Sequence, residues 1–167
     1  MIHETDKKDR LIVEEINFNL ENYIQDYIKD NNLESNIRKS NIVLLPYKNF
    51  RQMQGPIFPE AYSQFYEYLL DNIKDSKVEI CVEEEDYKEV ALHNDVINLG
   101  LVFINGIVLP VIANIISEYI KSKRNNRKTD IKISFIEKEG DKYKRLDYEG
   151  DSQYLNDTFK AYLKKRD

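Results

Sequence analysis

The segment VINLGLVFINGIVLPVIANIISEYIKSKR, Val96 to Arg124, carries no charged residue between Asp95 and Glu118 and ends in a basic cluster. An apolar run of that length has two homes. About 20 apolar residues suffice to span a bilayer as a helix, and a helix apolar on all sides also fits where protein covers every face. Val96–Ser117 meets the length, and Lys121, Lys123, Arg124, Arg127 and Lys128 would then lie on the cytoplasmic side. Against a span, Asn98, Asn105 and Asn114 are costly in lipid unless each amide finds a partner. Gly106 and Pro110 also interrupt its middle. A basic flank held inside would moreover export the first 95 residues. These start with the charged stretch MIHETDKKDRLIVEE and show no secretory signal. The expectation is one long, buried, apolar central helix, with insertion of residues 96–120 as the alternative. Its Gly, Ala and Asn positions also permit close packing against a second copy.

The flanking patterns supply covers for such a helix. Ile16, Phe18 and Leu20 alternate as in a half-buried strand, and Leu20, Tyr23, Ile24, Tyr27 and Ile28 follow helical spacing. KDNNLESN reads as turn formers, and NIVLLPY as a strand that exits at Pro46. Pro59 suits the first turn of a helix whose apolar stripe is Tyr62, Phe65, Tyr66, Leu69, Leu70 and Ile73. Val78, Ile80 and Val82 alternate with polar neighbours. DIKISFIEK and KYKRLDYEG flank EGD as a hairpin turning at Gly140. Asp151 or Ser152 caps a last helix that turns Tyr154, Leu155, Phe159, Tyr162 and Leu163 inward. The expected class is α/β (α+β), in the order βαβαβαββα. It has a mixed sheet of about five strands with amphipathic helices around the central apolar one. Residues 1–10 read as a frayed leader. Residues 1–167 read as one domain, with 11–95 and 96–167 as a candidate subdivision.

Composition narrows function. Hydrophobic residues make up 41% and charged residues 33%, which fits a folded domain, and the net charge of −5 argues against nucleic acid as a partner. Cys81 is the only cysteine, in keeping with a reducing cytoplasm; the membrane reading would place the chain at the inner membrane. No phosphate-binding loop, dinucleotide fingerprint, zinc spacing or nucleophile elbow is present. Cys81, His93 and Asp95 can be drawn as a nucleophilic set, but Cys81 sits mid-strand with no recognisable local signature. The run EEEDYKE, Glu83 to Glu89, lacks the distant, convergent oxygens that a metal site needs and reads as a solvated face. The expectation is therefore no catalytic residue, no cofactor and no metal.

Two stretches remain as candidate contacts. YKNFRQMQGPIFPEAY places Phe50, Arg51, Met53, Ile57 and Phe58 in a loop bounded by Gly and Pro, as a partner-binding patch or a lid over the core. Lys121, Lys123, Arg124, Arg127 and Lys128 offer an anion or headgroup surface, or simply complement the end of a helix.

GIVLPVIANIISEYIKSKR followed by the hairpin IKISFIEKEGDKYKRLDYEG and the helix DSQYLNDTFKAYL resembles the effector-associated constant components of bacterial conflict and anti-phage systems. The resemblance spans roughly Leu99 to Leu163, and the phrase YEGD before a helix carries most of it. It implies a non-enzymatic accessory or adaptor that recruits or regulates a separate effector; the lone cysteine points to the cytoplasm, and the apolar segment leaves a homo-oligomer as the other partner. The alternatives are a membrane-active effector and a phage-encoded inhibitor of a host defence protein.

Overall fold

In the computed structural model, which describes residues 10–92, 95–106, 109–125 and 128–166, the chain forms a mixed six-stranded sheet between two helical layers. The strands are β1 (Arg10–Ile16), β2 (Ile42–Leu45), β3 (Phe58–Pro59), β4 (Val78–Ile80), β5 (Glu89–Val90), β6 (Ile97–Ile104), β7 (Asp130–Glu139) and β8 (Lys142–Asp151). The helices are α1 (Leu20–Tyr27), α2 (Asn31–Arg38), α3 (Tyr62–Asn72), α4 (Leu109–Arg124) and α5 (Leu155–Arg166). The large sheet runs β1-β8-β7-β6-β2-β4, and β3 and β5 make a separate parallel pair. β1 from the first half pairs with β8 from the last, and β6 lies between β2 and β7, so the sheet has no seam at residue 96.

The single central helix expected over residues 96–120 is overturned. Its first part is β6, antiparallel to β2 and parallel to β7, and only its second part is helical, in α4. The physical reason is burial on both sides. An internal strand covered above and below loses its polar alternation and reads as a continuous apolar run, and from Leu99 to Ile104 β6 is buried throughout. The break was written in Asn105-Gly106, a turn dipeptide, with Gly106 at φ 77°. Pro110 then falls in the first turn of α4, where a missing N–H costs nothing. No helix among the described residues is long and apolar enough to cross a membrane.

Two smaller corrections follow from capping. The strand expected through Ile16, Phe18 and Leu20 ends at Ile16 and begins at Arg10; Asn19 caps α1 by accepting from the Glu21 amide. KDNNLESN follows the end of α1 at Tyr27, but only its first two residues are a link. Asp30 accepts from the amides of Asn32 and Leu33 at 2.7 and 3.1 Å and starts α2, which buries Ile37. The hairpin stands as read, with Gly140 at φ 64° in its turn.

Side chains alternate between the two faces of the sheet. One face carries Ile131, Ile133 and Phe135 of β7, Leu146 and Tyr148 of β8, and Leu99, Val102 and Ile104 of β6. Helices α3, α4 and α5 cover it with Phe65, Leu69, Ile112, Ile116 and Phe159. The other face is apolar at one end only, where Val43, Leu45, Leu101, Phe103 and Ile136 meet Ile24, Ile28 and Ile37 of α1 and α2. Beyond these two helices that face stays open.

Candidate functional site

The uncovered part of the second face holds polar residues. The β7–β8 register sets Lys132 opposite Glu149 and Ser134 opposite Asp147, and β6 adds Asn98 and Gly100. Ser134 Oγ donates to Asp147 Oδ1 at 2.5 Å, and Arg145 Nε donates to the same oxygen at 2.8 Å. These bonds fix the Arg145 guanidinium against the sheet.

The rim is built by the loop that follows β2. Pro46 ends that strand, and the Tyr47 amide donates to the Ile57 carbonyl, closing residues 48–56 into an excursion over the open face. Asn49, Arg51 and Gln52 hold left-handed backbone, at φ 53°, 47° and 61°. Asn takes this conformation readily, whereas Arg and Gln are strained in it, and such strain concentrates where a side chain is held for use. Phe50 stacks on Tyr47 at 5.3 Å between ring centroids, with the Arg51 guanidinium 5.0 Å from the Phe50 ring. From α1, Tyr23 lies under Lys48 Nζ at 4.0 Å, and Lys48 pairs with Asp26 at 3.0 Å.

Together these residues enclose a cleft of about 540 Å³, lined among others by Tyr23, Tyr47, Lys48, Phe50, Arg51, Asn98, Lys132, Ser134 and Arg145. Two smaller hollows continue it along the sheet and share Lys132, Ser134, Arg145, Tyr23 and Lys48 with it. Burial pushes the Tyr23 and Tyr47 hydroxyls above the usual phenol range, and the nearby Arg145 guanidinium opposes the shift in both. Four cations line the cleft; Asp26, Asp147 and Glu149 lie beside them, and Glu14 stands opposite Arg145 across β1 and β8. Asp26 and Asp147 serve Lys48 and Arg145, and Arg51 and Lys132 have no ion-pair partner among the described residues. In a chain of net charge −5 this is a local basic patch with aromatic walls.

The residues singled out from sequence divide. Phe50 and Met53 are half-buried and Arg51 exposed, but Ile57 and Phe58 are wholly buried, so the second part of the loop belongs to the core. Phe58 stacks between Tyr62 and Tyr87. Lys121, Lys123 and Arg124 end α4, and Lys128 is exposed beyond it; Arg127 lies outside the described residues. Lys123 and Arg124 line a hollow of about 270 Å³ that shares Leu92 and Asn98 with the main cleft. The basic end of α4 and the Phe50–Arg51 loop thus approach the same strand position.

Cys81 is buried beneath α1 and α2, and burial pushes its thiol up to about 12, too high for a nucleophile at neutral pH. His93 lies outside the described residues. The acidic run is structural in part. Glu89 accepts from the amides of Ala61 and Ser63 at 2.8 and 3.2 Å, and from the Tyr87 hydroxyl at 2.7 Å, and so caps α3 from outside. Burial pushes its carboxyl up, but these hydrogen bonds outweigh that and hold it below its ordinary range. Among the described residues no group of His, Cys, Asp or Glu is arranged to hold a metal ion.

Lys132, Ser134 and Arg145 escape the sequence reading, although a signal exists. In DIKISFIEK and KYKRLDYEG, alternation about the Gly140 turn puts these three on one face with Asp147. No protein-family model, curated protein or solved structure matches the chain.

Proposed function

We propose that the chain is a non-enzymatic accessory protein that binds a separate effector, and that the partner docks on the open half of the sheet. The carrying observation is the cleft itself. Arg51 and Lys132, with Lys48 and Arg145, flank the aromatic walls of Tyr23, Tyr47 and Phe50. Arg and aromatic side chains dominate the energetics of protein interfaces, and this charge favours a partner segment that presents carboxylates. The setting in a prokaryotic defence or conflict system rests on the resemblance of residues 99–163. A phage-encoded inhibitor would use the same surface, with the host protein as its partner.

Membrane insertion of residues 96–120 would require β6 to leave the centre of the sheet and α4 to expose Ile112, Ile116 and Ile120. No observation favours that reading.

The test is co-purification from the native host, with the wild-type chain beside the Arg51→Glu/Lys132→Glu variant. The wild type should bring down one partner in fixed proportion, and the variant should lose it. A wild-type chain that stays alone, or a variant that keeps the partner, contradicts the proposal.

A further inference from the structure

The large sheet ends on two unlike edges. β4 contributes three residues, too few to offer much of a template. β1 contributes seven, and among the described residues it is hydrogen-bonded to β8 on one side only. Such an edge presents a row of backbone N–H and C=O groups to any strand that fits it. β1 contains no proline, and its middle is apolar. Ile12 is 48% exposed and Val13 38%, adjacent residues on opposite faces and two of the five large apolar side chains exposed among the described residues.

The charges on β1 decide what fits. Two identical antiparallel strands related by a two-fold axis must place cross-strand partners on the same face of the joined sheet, which restricts the registers. Centred on Val13, the pairing sets Leu11 against Glu15 and Ile12 against Glu14, apolar against acidic. Centred on Ile12, it sets Arg10 against Glu14, Leu11 against Val13 and Ile12 against its own copy. Within residues 10–14 those pairs are complementary, and symmetry makes the first two occur twice.

We infer that the chain associates with a second copy of itself through β1, in the register centred on Ile12. The two sheets then run on as one across the axis. Arg10, Ile12 and Glu14 share the face that holds Lys132, Ser134 and Arg145, so both clefts open on the same side of the dimer. The apolar surface of α4 takes no part, because its Ile112, Ala113 and Ile116 are buried against the chain's own sheet.

The register can be read directly. Size-exclusion chromatography with light scattering over a concentration series should give twice the chain mass. Arg10→Glu alone, and Glu14→Arg alone, set like charges opposite each other twice and should weaken the dimer about tenfold. The double variant exchanges the two signs and should restore it. Ile12→Cys should form an intermolecular disulfide under mild oxidation, and Val13→Cys should not, since Val13 faces Leu11 of the copy. Cys81 is buried and adds little background. The substituted positions are all exposed, and circular dichroism confirms that each variant is folded. A chain that stays monomeric at every concentration overturns the inference. So does a dimer indifferent to the single charge reversals, or one that the double variant does not restore.

Discussion

The two faces of the sheet are made from the same strands, one residue apart, and they differ in almost every physical respect. On β7, Ile131, Ile133 and Phe135 disappear beneath three helices, whereas Lys132 between them stays exposed and Ser134 joins an Arg–Asp cluster. The covered face buries the larger apolar cluster; the open one gives up burial and keeps charge. A domain of this size can leave half a face uncovered only because the opposite layer buries a core of its own. The lesson is that α1 and α2 are as informative for where they stop as for what they cover.

The sharpest way to break the contrast is to substitute near neighbours on one strand. Phe135→Ala should cost about 3–5 kcal/mol in denaturant unfolding, because it opens a cavity among Phe159 and its neighbours. Lys132→Ala, three residues away on the other face, should stay within about 0.5 kcal/mol. Equal losses at the two positions would mean that the open face is a core in disguise.

A middle-sized effect lies where the faces meet, at the bulge in β6. Gly100 has φ 72°, and a Cβ there would sit 2.9 Å from the Tyr62 hydroxyl. Gly100→Ala should cost about 2 kcal/mol through left-handed strain and crowding. The Tyr62 hydroxyl is buried with no hydrogen-bond partner among the described residues, so Tyr62→Phe should be neutral or stabilising by about 1 kcal/mol. The double variant should recover part of the Gly100→Ala loss, and strict additivity would place the hydroxyl elsewhere.

The next effect sharpens the comparison from the helical side. Glu89→Gln removes an acceptor at the start of α3 and should cost about 1 kcal/mol at neutral pH. Because the folded carboxyl lies below its ordinary 4.5, its contribution is complete above that pH and is lost as the pH falls through the folded value. The gap between wild type and variant in urea melts should therefore close in acid. A gap unchanged in acid would assign the loss to shape rather than to charge.

What the sequence revealed follows the same division. α1, α3, the hairpin and α5 each have one wet side, and one wet side is what produces a readable period. β6 has none, so hydrophobicity alone could not separate it from the helix behind it; Asn105-Gly106 and the β-branched, aromatic run LVFI were the better guides. α2 was hidden by its Asn content, although Asp30 as a cap and the spacing of Leu33 and Ile37 mark it. Of the site, Phe50 and Arg51 were legible as apolar and charged residues in a Pro/Gly-bounded loop. Ile57 and Phe58 look the same in sequence and are core, because only the Tyr47–Ile57 bridge decides where the loop turns inward. Lys132 and Arg145 were legible only in register, since polar residues on a hairpin ordinarily mean water.

The most direct measurement is a titration of the ¹⁵N-labelled protein with a Glu-rich peptide, followed by NMR, with inorganic phosphate and a single-stranded oligonucleotide as comparators. Docking on the open face predicts saturable shifts at the amides of Tyr47, Phe50, Arg51, Lys132, Ser134 and Arg145. They should be absent in Arg51→Glu/Lys132→Glu, with α3 to α5 unmoved. Shifts confined to the helical layer, or an oligonucleotide that shifts the cleft amides more strongly than the peptide does, would contradict it.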